Sequence, residues 1–125
     1  MSISDDALKL AADLSARSII KIKVGAVIFN DDKIIAWGWN NPGSGFGDHA
    51  EHMAIRRFVR SNHFRSAANY RIAVYSTRKG KPITSRPCRN CERLIRRYGI
   101  KGSVYFRKEE INGRFVPYRV SEEYV

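Results

Sequence analysis

Apolar residues recur at intervals of three and four positions in three stretches of the chain, and this spacing predicts three helices. The predicted helices span Asp5–Ile20, Ala50–Arg60 and Cys88–Tyr98. Ser4 is the expected N-cap of the first helix, and Gly99 is the expected C-cap of the third. The first helix carries its small and apolar stripe at Ala7, Ala11, Leu14 and Ser18.

Five other stretches are rich in β-branched and aromatic residues, and they predict strands. They are Ile22–Phe29, Lys33–Trp39, Tyr70–Ser76, Ser103–Lys108 and Arg114–Val120. A polar turn at Asn30 joins the first two, and Asn112-Gly113 between the last two is typical of a two-residue hairpin. Asn40–Asp48 and Lys79–Pro87 are predicted loops. We therefore expect the last two strands to pair antiparallel, in a mixed sheet covered by helices.

Length and composition indicate one globular unit. At 125 residues and 43% hydrophobic content, one core can bury roughly two thirds of the surface that the unfolded chain exposes. We expect a single domain spanning residues 1–125. No stretch approaches the ~18 consecutive apolar residues of a membrane helix, and the N-terminus lacks the layout of a signal peptide. A soluble, cytoplasmic protein with no membrane partner is expected.

The charge is unevenly distributed along the chain. Residues 1–48 hold five Lys/Arg and six Asp/Glu, whereas residues 49–125 hold eighteen and six, within a net charge of +11. A field of one sign attracts polyanions, so the second part is expected to face phosphates of a nucleotide or a nucleic acid. The alternative is a basic surface that serves only solubility.

Two short motifs carry residues with metal and proton chemistry. Both cysteines of the chain lie in Pro87-Cys88-Arg89-Asn90-Cys91, at the start of a predicted helix, where free amides favour thiolates. The same spacing would also suit a redox pair. His49-Ala50-Glu51 opens the preceding helix and offers one imidazole and one carboxylate.

The sequence H-A-E followed by P-C-x-x-C is the signature of zinc-dependent nucleobase deaminases. The chain resembles the cytidine/deoxycytidylate deaminase superfamily over most of its length, and Gly38-Trp39-Asn40 is similar to the G-[WY]-N element of several members. The resemblance implies a cytidine deaminase-like three-layer α/β/α fold. Its five-stranded mixed sheet would end in an antiparallel C-terminal hairpin.

The resemblance also implies the roles of the motif residues. His49, Cys88 and Cys91 would bind Zn²⁺ and leave its fourth position to water, as in catalytic zinc sites. Hydroxide on the zinc would attack C4 of cytosine, with Glu51 moving the protons. If His52 also bound the metal, the four side chains would form a closed Cys2His2 structural site, which would leave Glu51 without a role.

Four further residues are expected to contact the substrate. By resemblance, Asn40 would bind its sugar or backbone and the main chain around Ala50 the base edge. Phe46 would stack on the base. Arg86 stands where tRNA adenosine deaminases tend to have Glu and cytidine deaminases Ser, and would meet a phosphate.

Cytidine or deoxycytidine nucleotides are the leading substrates, and cytosine in single-stranded DNA or RNA, or adenosine in tRNA, is the alternative. The C-terminal hairpin resembles the free cytidine deaminases, whereas a histidine ligand at position 49 resembles the tRNA, deoxycytidylate and APOBEC-type enzymes. A non-catalytic zinc module that binds nucleic acid is the alternative from another class. The resemblance also implies a homo-oligomer, since relatives often complete their sites across interfaces.

Overall fold

The computed structural model describes residues 3–40, 49–61, 69–83, 89–108 and 115–121, from residue 106 onward as backbone. No helix in these ranges is long and apolar enough to span a membrane. The elements in chain order are α1 (Ile3–Ser15), β1 (Ile22–Phe29), β2 (Ile34–Trp39), α2 (Ala50–Arg60), β3 (Arg71–Arg78), β4 (Lys81–Ile83), α3 (Arg89–Arg97), β5 (Gly102–Lys108) and β6 (Phe115–Ser121).

The strands form one mixed sheet in the order β2-β1-β3-β5-β6. β3 and β5 are parallel, while β1 pairs antiparallel with both β2 and β3. β5 and β6 pair antiparallel from Gly102 opposite Ser121 to Lys108 opposite Phe115, which confirms the predicted C-terminal hairpin. The short strand β4 pairs with β3 alone.

Helices cover both faces of the sheet, because the central strands present apolar side chains on both faces. On one face α1 packs its buried side chains against Val27, Phe29 and Val104. On the other face α2 and α3 pack against Ala26, Ile28 and other core residues. This arrangement confirms the three-layer α/β/α fold. α1 lies so close to β1 that a Cβ at Gly25 would overlap the Ala11 carbonyl.

The first helix is shorter than its apolar spacing predicts. α1 begins at Ile3, so Ser4 lies inside it rather than capping it, and it ends at Ser15 instead of Ile20. The Ser15 hydroxyl donates to the Ala12 carbonyl, and Ser18 accepts a hydrogen bond from the Ile20 N–H. Such local bonds compete with the helix, so the predicted last turn is lost although Ser18 is buried.

The turn after α3 matches its prediction, whereas the turn after β3 differs from it. Gly99 has φ of +76°, as expected of a C-cap glycine after α3. The predicted loop Lys79–Pro87 instead begins with a tight hairpin, because Arg78 pairs with Lys81 across two residues. The two residues between them, Lys79 and Gly80, have positive φ angles of 52° and 78°.

Candidate active site

The first residue of the site is fixed by the start of α2. His49 is the N-cap of the helix, with an extended backbone at φ −93° and ψ 135°, and its side chain makes no capping hydrogen bond. Its imidazole meets Cys91, in the first turn of α3: the distance from His49 Nδ1 to Cys91 Sγ is 3.5 Å.

This separation fits two ligands of one zinc ion. Zinc–nitrogen bonds of about 2.0–2.1 Å and zinc–sulfur bonds of about 2.3 Å, at a tetrahedral angle, place nitrogen and sulfur about 3.6 Å apart. Cys91 is fully buried, so its sulfur is held by the packing of α3 against the core. The donor set and spacing of His49 and Cys91 therefore suit Zn²⁺.

Glu51 completes the cluster from the first turn of α2. Its side chain is only 5% exposed, and burial raises the pKa of the Glu51 carboxyl above its usual range. Hydrogen bonds from its own backbone N–H and from the Cys91 thiol oppose this rise, as do the nearby charges of His49 and His52. The structure thus brings Glu51, in the first turn of α2, and His49, the N-cap of that helix, to the same thiol.

Gly38 sets how closely α2 approaches the sheet. A Cβ at Gly38 would lie 2.7 Å from the Ala50 carbonyl oxygen and 2.8 Å from the Ala54 backbone nitrogen. Only glycine allows this approach, which seats the fully buried Ala50 directly on β2. The sequence motif signalled Gly38, but its role in positioning His49 and Glu51 becomes visible only in the packing.

Asn40 lies directly after β2 and is 7% exposed. Its Oδ1 accepts a hydrogen bond from the Val24 N–H at 2.9 Å, and its Nδ2 donates to the Ile22 carbonyl at 2.6 Å. Its backbone N–H donates to the Val24 carbonyl. The side chain expected to contact substrate therefore also fastens the end of β2 to the start of β1.

His52 stacks on His49 instead of converging with it. The ring centroids are 5.1 Å apart and the planes differ by 27°. Among the residues that the structure describes, no three His, Cys, Asp or Glu side chains are grouped to hold a metal. The His52 ring thus lies beside the His49 ring, and the closed Cys2His2 site stays an alternative prediction.

Three expected site residues, Phe46, Arg86 and Cys88, lie outside the described residues. Of the others, the structure brings together His49, Glu51 and Cys91, while Ala50 is buried against β2. Cys88 stands immediately before the first residue of α3, three positions ahead of Cys91.

The chain matches a family of known proteins over most of its length. The family model described as "Cytidine and deoxycytidylate deaminase zinc-binding region" matches residues 1–107. The chain belongs to this family. Its members are hydrolytic deaminases, and their cofactor is Zn²⁺, as the family's description states. No curated protein matches the chain in sequence.

Solved structures share the fold. A cytidine deaminase from Burkholderia pseudomallei is 17% identical, with a TM-score of 0.67, over 94% of this chain and 91% of that one. The dCMP deaminase of cyanophage S-TIM5, in complex with dCMP and dUMP, is 24% identical, with a TM-score of 0.57, over 82% and 79%. A Thermotoga maritima diaminohydroxyphosphoribosylaminopyrimidine deaminase/reductase is 26% identical, with a TM-score of 0.57, over 82% of this chain but only 29% of that one.

Proposed function

We propose that this deaminase of the cytidine type converts cytosine to uracil in a cytidine or deoxycytidine nucleotide. We further propose that residues 1–125 act as one deaminase domain. The observation that carries the proposal is the meeting of His49 and Glu51 at Cys91, at the joint N-terminal ends of α2 and α3.

His49, Cys91 and Cys88 would hold the zinc ion. The first two already stand at the separation that one tetrahedral ion requires, and Cys88 precedes Cys91 by three positions in the sequence. Zinc in such a three-ligand site lowers the pKa of a bound water, which makes hydroxide available near neutral pH.

Glu51 would carry the protons of the reaction. Water replaces the exocyclic amine at C4, so one proton must leave the water, N3 must be protonated, and the amine must leave as ammonia. A single carboxyl group can pass the first proton of the water to N3. It can then pass the proton of the new C4 hydroxyl group to the amine, which leaves as ammonia while C4 becomes a carbonyl. Burial suits this role, because it raises the pKa of Glu51 toward the working pH.

Four residues would contact the substrate. The main chain at Ala50 would meet the base edge, Asn40 the sugar, Phe46 the face of the base and Arg86 a phosphate. The family's description names cytidine and deoxycytidylate, and the structurally similar cyanophage enzyme is in complex with dCMP and dUMP. Both support a pyrimidine nucleotide over adenosine.

The decisive experiment compares the zinc-loaded wild type with Glu51→Gln. Each protein is incubated with cytidine, CMP, dCMP, dCTP, adenosine and single-stranded oligonucleotides. Mass spectrometry then detects the gain of about 1 Da that replaces an amine by oxygen. We expect the wild type to convert cytosine and Glu51→Gln to lose at least a hundredfold in kcat, the scale of a lost general acid–base group.

Zinc content separates the deaminase from a non-catalytic zinc module. Glu51→Gln should bind as much zinc as the wild type, and Glu92→Gln, the same change one residue from Cys91, should keep both zinc and turnover. If Glu51→Gln with full zinc deaminated at the wild-type rate, the proposed mechanism would be wrong. A wild type that binds zinc but converts none of these substrates would favour the binding module.

A further inference from the structure

An open cavity of about 780 Å³ lies on the α1 face of the sheet, away from the site described above. It is formed by the end of α1, the start of β1 and the turn after β3. We call it the lysine cavity and define it by Lys21, Lys23, Lys79, Tyr75 and Thr77. Among the described residues that line it, the three lysines face a single carboxylate, Asp13.

The strand register places unlike groups of this cavity side by side. Lys23 lies opposite Thr77, and Tyr75 lies opposite Gly25, the next position on the same face of β1. An ammonium group, a hydroxyl group and an aromatic ring thus occupy neighbouring positions on one face. Phosphate, sugar and base offer complementary groups, so the chemistry suits a nucleotide chain.

Lys79 occupies a backbone conformation that disfavours lysine. It is the first residue of a two-residue hairpin and has φ of 52°, where asparagine or glycine is usual. The lysine side chain is exposed to solvent and lines the cavity. A strained position that keeps a charged, exposed side chain points to a role for that charge.

The cavity is connected to the candidate active site through Asn40. The Asn40 side chain bonds the backbone of Ile22 and Val24, the two neighbours of Lys23. Gly38, two residues before Asn40, packs against the backbone at the start of α2. Both sites therefore open at the same end of the sheet, but on opposite faces, since Lys23 lies on the α1 face and Glu51 belongs to α2.

We propose that the lysine cavity binds the backbone of a single-stranded polynucleotide whose target cytosine lies at Glu51. This inference rests on the cytosine chemistry of the proposed function and extends its substrate from a single nucleotide to a polynucleotide. The strand would leave the active site at the end of β2, pass Asn40 and reach Lys21, Lys23 and Lys79 around the end of the sheet. Only a chain of nucleotides carries phosphates to both faces.

The test uses the full zinc-loaded chain and fluorescent single-stranded DNA and RNA 12-mers that contain one cytosine. The cavity variant combines Lys21→Gln, Lys23→Gln and Lys79→Gln. The matched control combines Lys9→Gln, Lys33→Gln and Lys101→Gln, three equally exposed lysines outside the cavity. Fluorescence anisotropy gives the affinity of each protein between 50 and 200 mM salt.

We expect the cavity variant to bind the oligonucleotide at least tenfold more weakly than the control variant at 50 mM salt. Its log–log salt slope should be smaller by about 2, because each single-strand phosphate contact contributes about 0.7. Equal affinities and equal slopes for the two variants would overturn the proposal, since the lysines would then act only through net charge.

Deamination assays separate this inference from the proposed function. If the wild type converts dCMP but the two variants bind oligonucleotides alike, the cavity proposal fails and the deaminase stands. If the cavity variant loses affinity and the wild type deaminates nothing, the cavity binds a strand and the proposed reaction is wrong. A fall in the ratio of oligonucleotide to dCMP turnover in the cavity variant, relative to the control, supports both.

Discussion

Glu51 has a property that works against stability and in favour of chemistry. Its carboxyl group is buried, which disfavours the charged form, and the hydrogen bonds from its own backbone N–H and the Cys91 thiol offset only part of this cost, since the pKa of Glu51 stays raised. A neutral amide of the same shape would fill the position without that cost. The residue thus illustrates a functional group whose presence lowers the stability of the fold.

We therefore expect Glu51→Gln to stabilise the metal-free protein at pH 7. The increase in the free energy of unfolding should be about 1 kcal/mol, the usual scale for such exchanges at functional positions. Urea unfolding of the metal-free wild type and variant measures it. Glu92→Gln removes a half-buried carboxyl of the neighbouring helix and should not give this gain. A less stable Glu51→Gln would show that the carboxyl holds the site together.

The two neighbouring histidines should differ in their effect on zinc. His49→Ala and Cys91→Ser each remove a side chain of the pair that is 3.5 Å apart, so zinc affinity should fall by well over tenfold. His52→Ala, which removes the ring stacked on His49, should change it much less. Competition with a chromophoric chelator measures all three. Equal losses for His49→Ala and His52→Ala would favour the closed Cys2His2 site.

At the scale of elements, two close contacts between helix and sheet can be compared. Gly38→Ala would push α2 away from β2 and displace His49 and Glu51, whereas Gly25→Ala would push α1 away from β1 on the other face. We expect each to cost about 1–3 kcal/mol in unfolding free energy. Only Gly38→Ala should also lower kcat of the folded protein.

This comparison is measured under conditions where both variants are folded, as circular dichroism can verify. If Gly25→Ala lowered kcat as much as Gly38→Ala, the start of α2 would not be set by its contact with β2. Unchanged kcat in Gly38→Ala would lead to the same conclusion.

Lys79, in the turn between β3 and β4, is expected to lower the stability of the fold, although its charge would serve binding in the lysine cavity. Lys79→Asn places a residue that tolerates positive φ at this position, so the free energy of unfolding should rise by about 1 kcal/mol. Lys21→Asn is the control, because it removes the same charge without the strain. Thermal unfolding that ranks Lys79→Asn at or below Lys21→Asn would show that the turn is not strained.

The pattern of apolar and polar residues was sufficient to predict most helices and strands, but not the end of α1 or the short strand β4. β1 and α2 have the predicted bounds, since Ile22–Phe29 and Ala50–Arg60 are delimited by turn and capping residues. The predicted end of α1 was wrong, because the hydroxyl groups of Ser15 and Ser18 form local hydrogen bonds that compete with the helix. β4 was missed because a three-residue strand has too short a pattern to distinguish it from a loop.

The candidate site was predictable for a related reason. Its motif residues sit at the starts of α2 and α3, where spacing along the sequence translates directly into position. The closeness of His49 to Cys91, 42 positions later, depends on tertiary packing, and only the resemblance to known deaminases indicated it. The ligand role of Cys88 stays a prediction.

At the scale of the whole molecule, charge counted along the chain differs from charge arranged in space. The sequence places the positive excess after residue 48. In the fold, Lys21 and Lys23 from the nearly neutral first part join Lys79 in one cavity. The register between β1 and β3 produces this cluster, so no linear window of sequence could have shown it.

Zinc should act on the stability of the whole chain, because its proposed ligands come from the starts of two different helices, α2 and α3. A ligand that binds only the folded state adds about 4 kcal/mol at a thousand times its Kd. We expect the unfolding free energy to rise by that order when zinc is added to metal-free protein. His52→Ala should retain this increment and Cys91→Ser should lose most of it. If the unfolding free energy of the wild type, measured with denaturant, were the same with and without zinc, His49 and Cys91 would not hold the ion in the folded state.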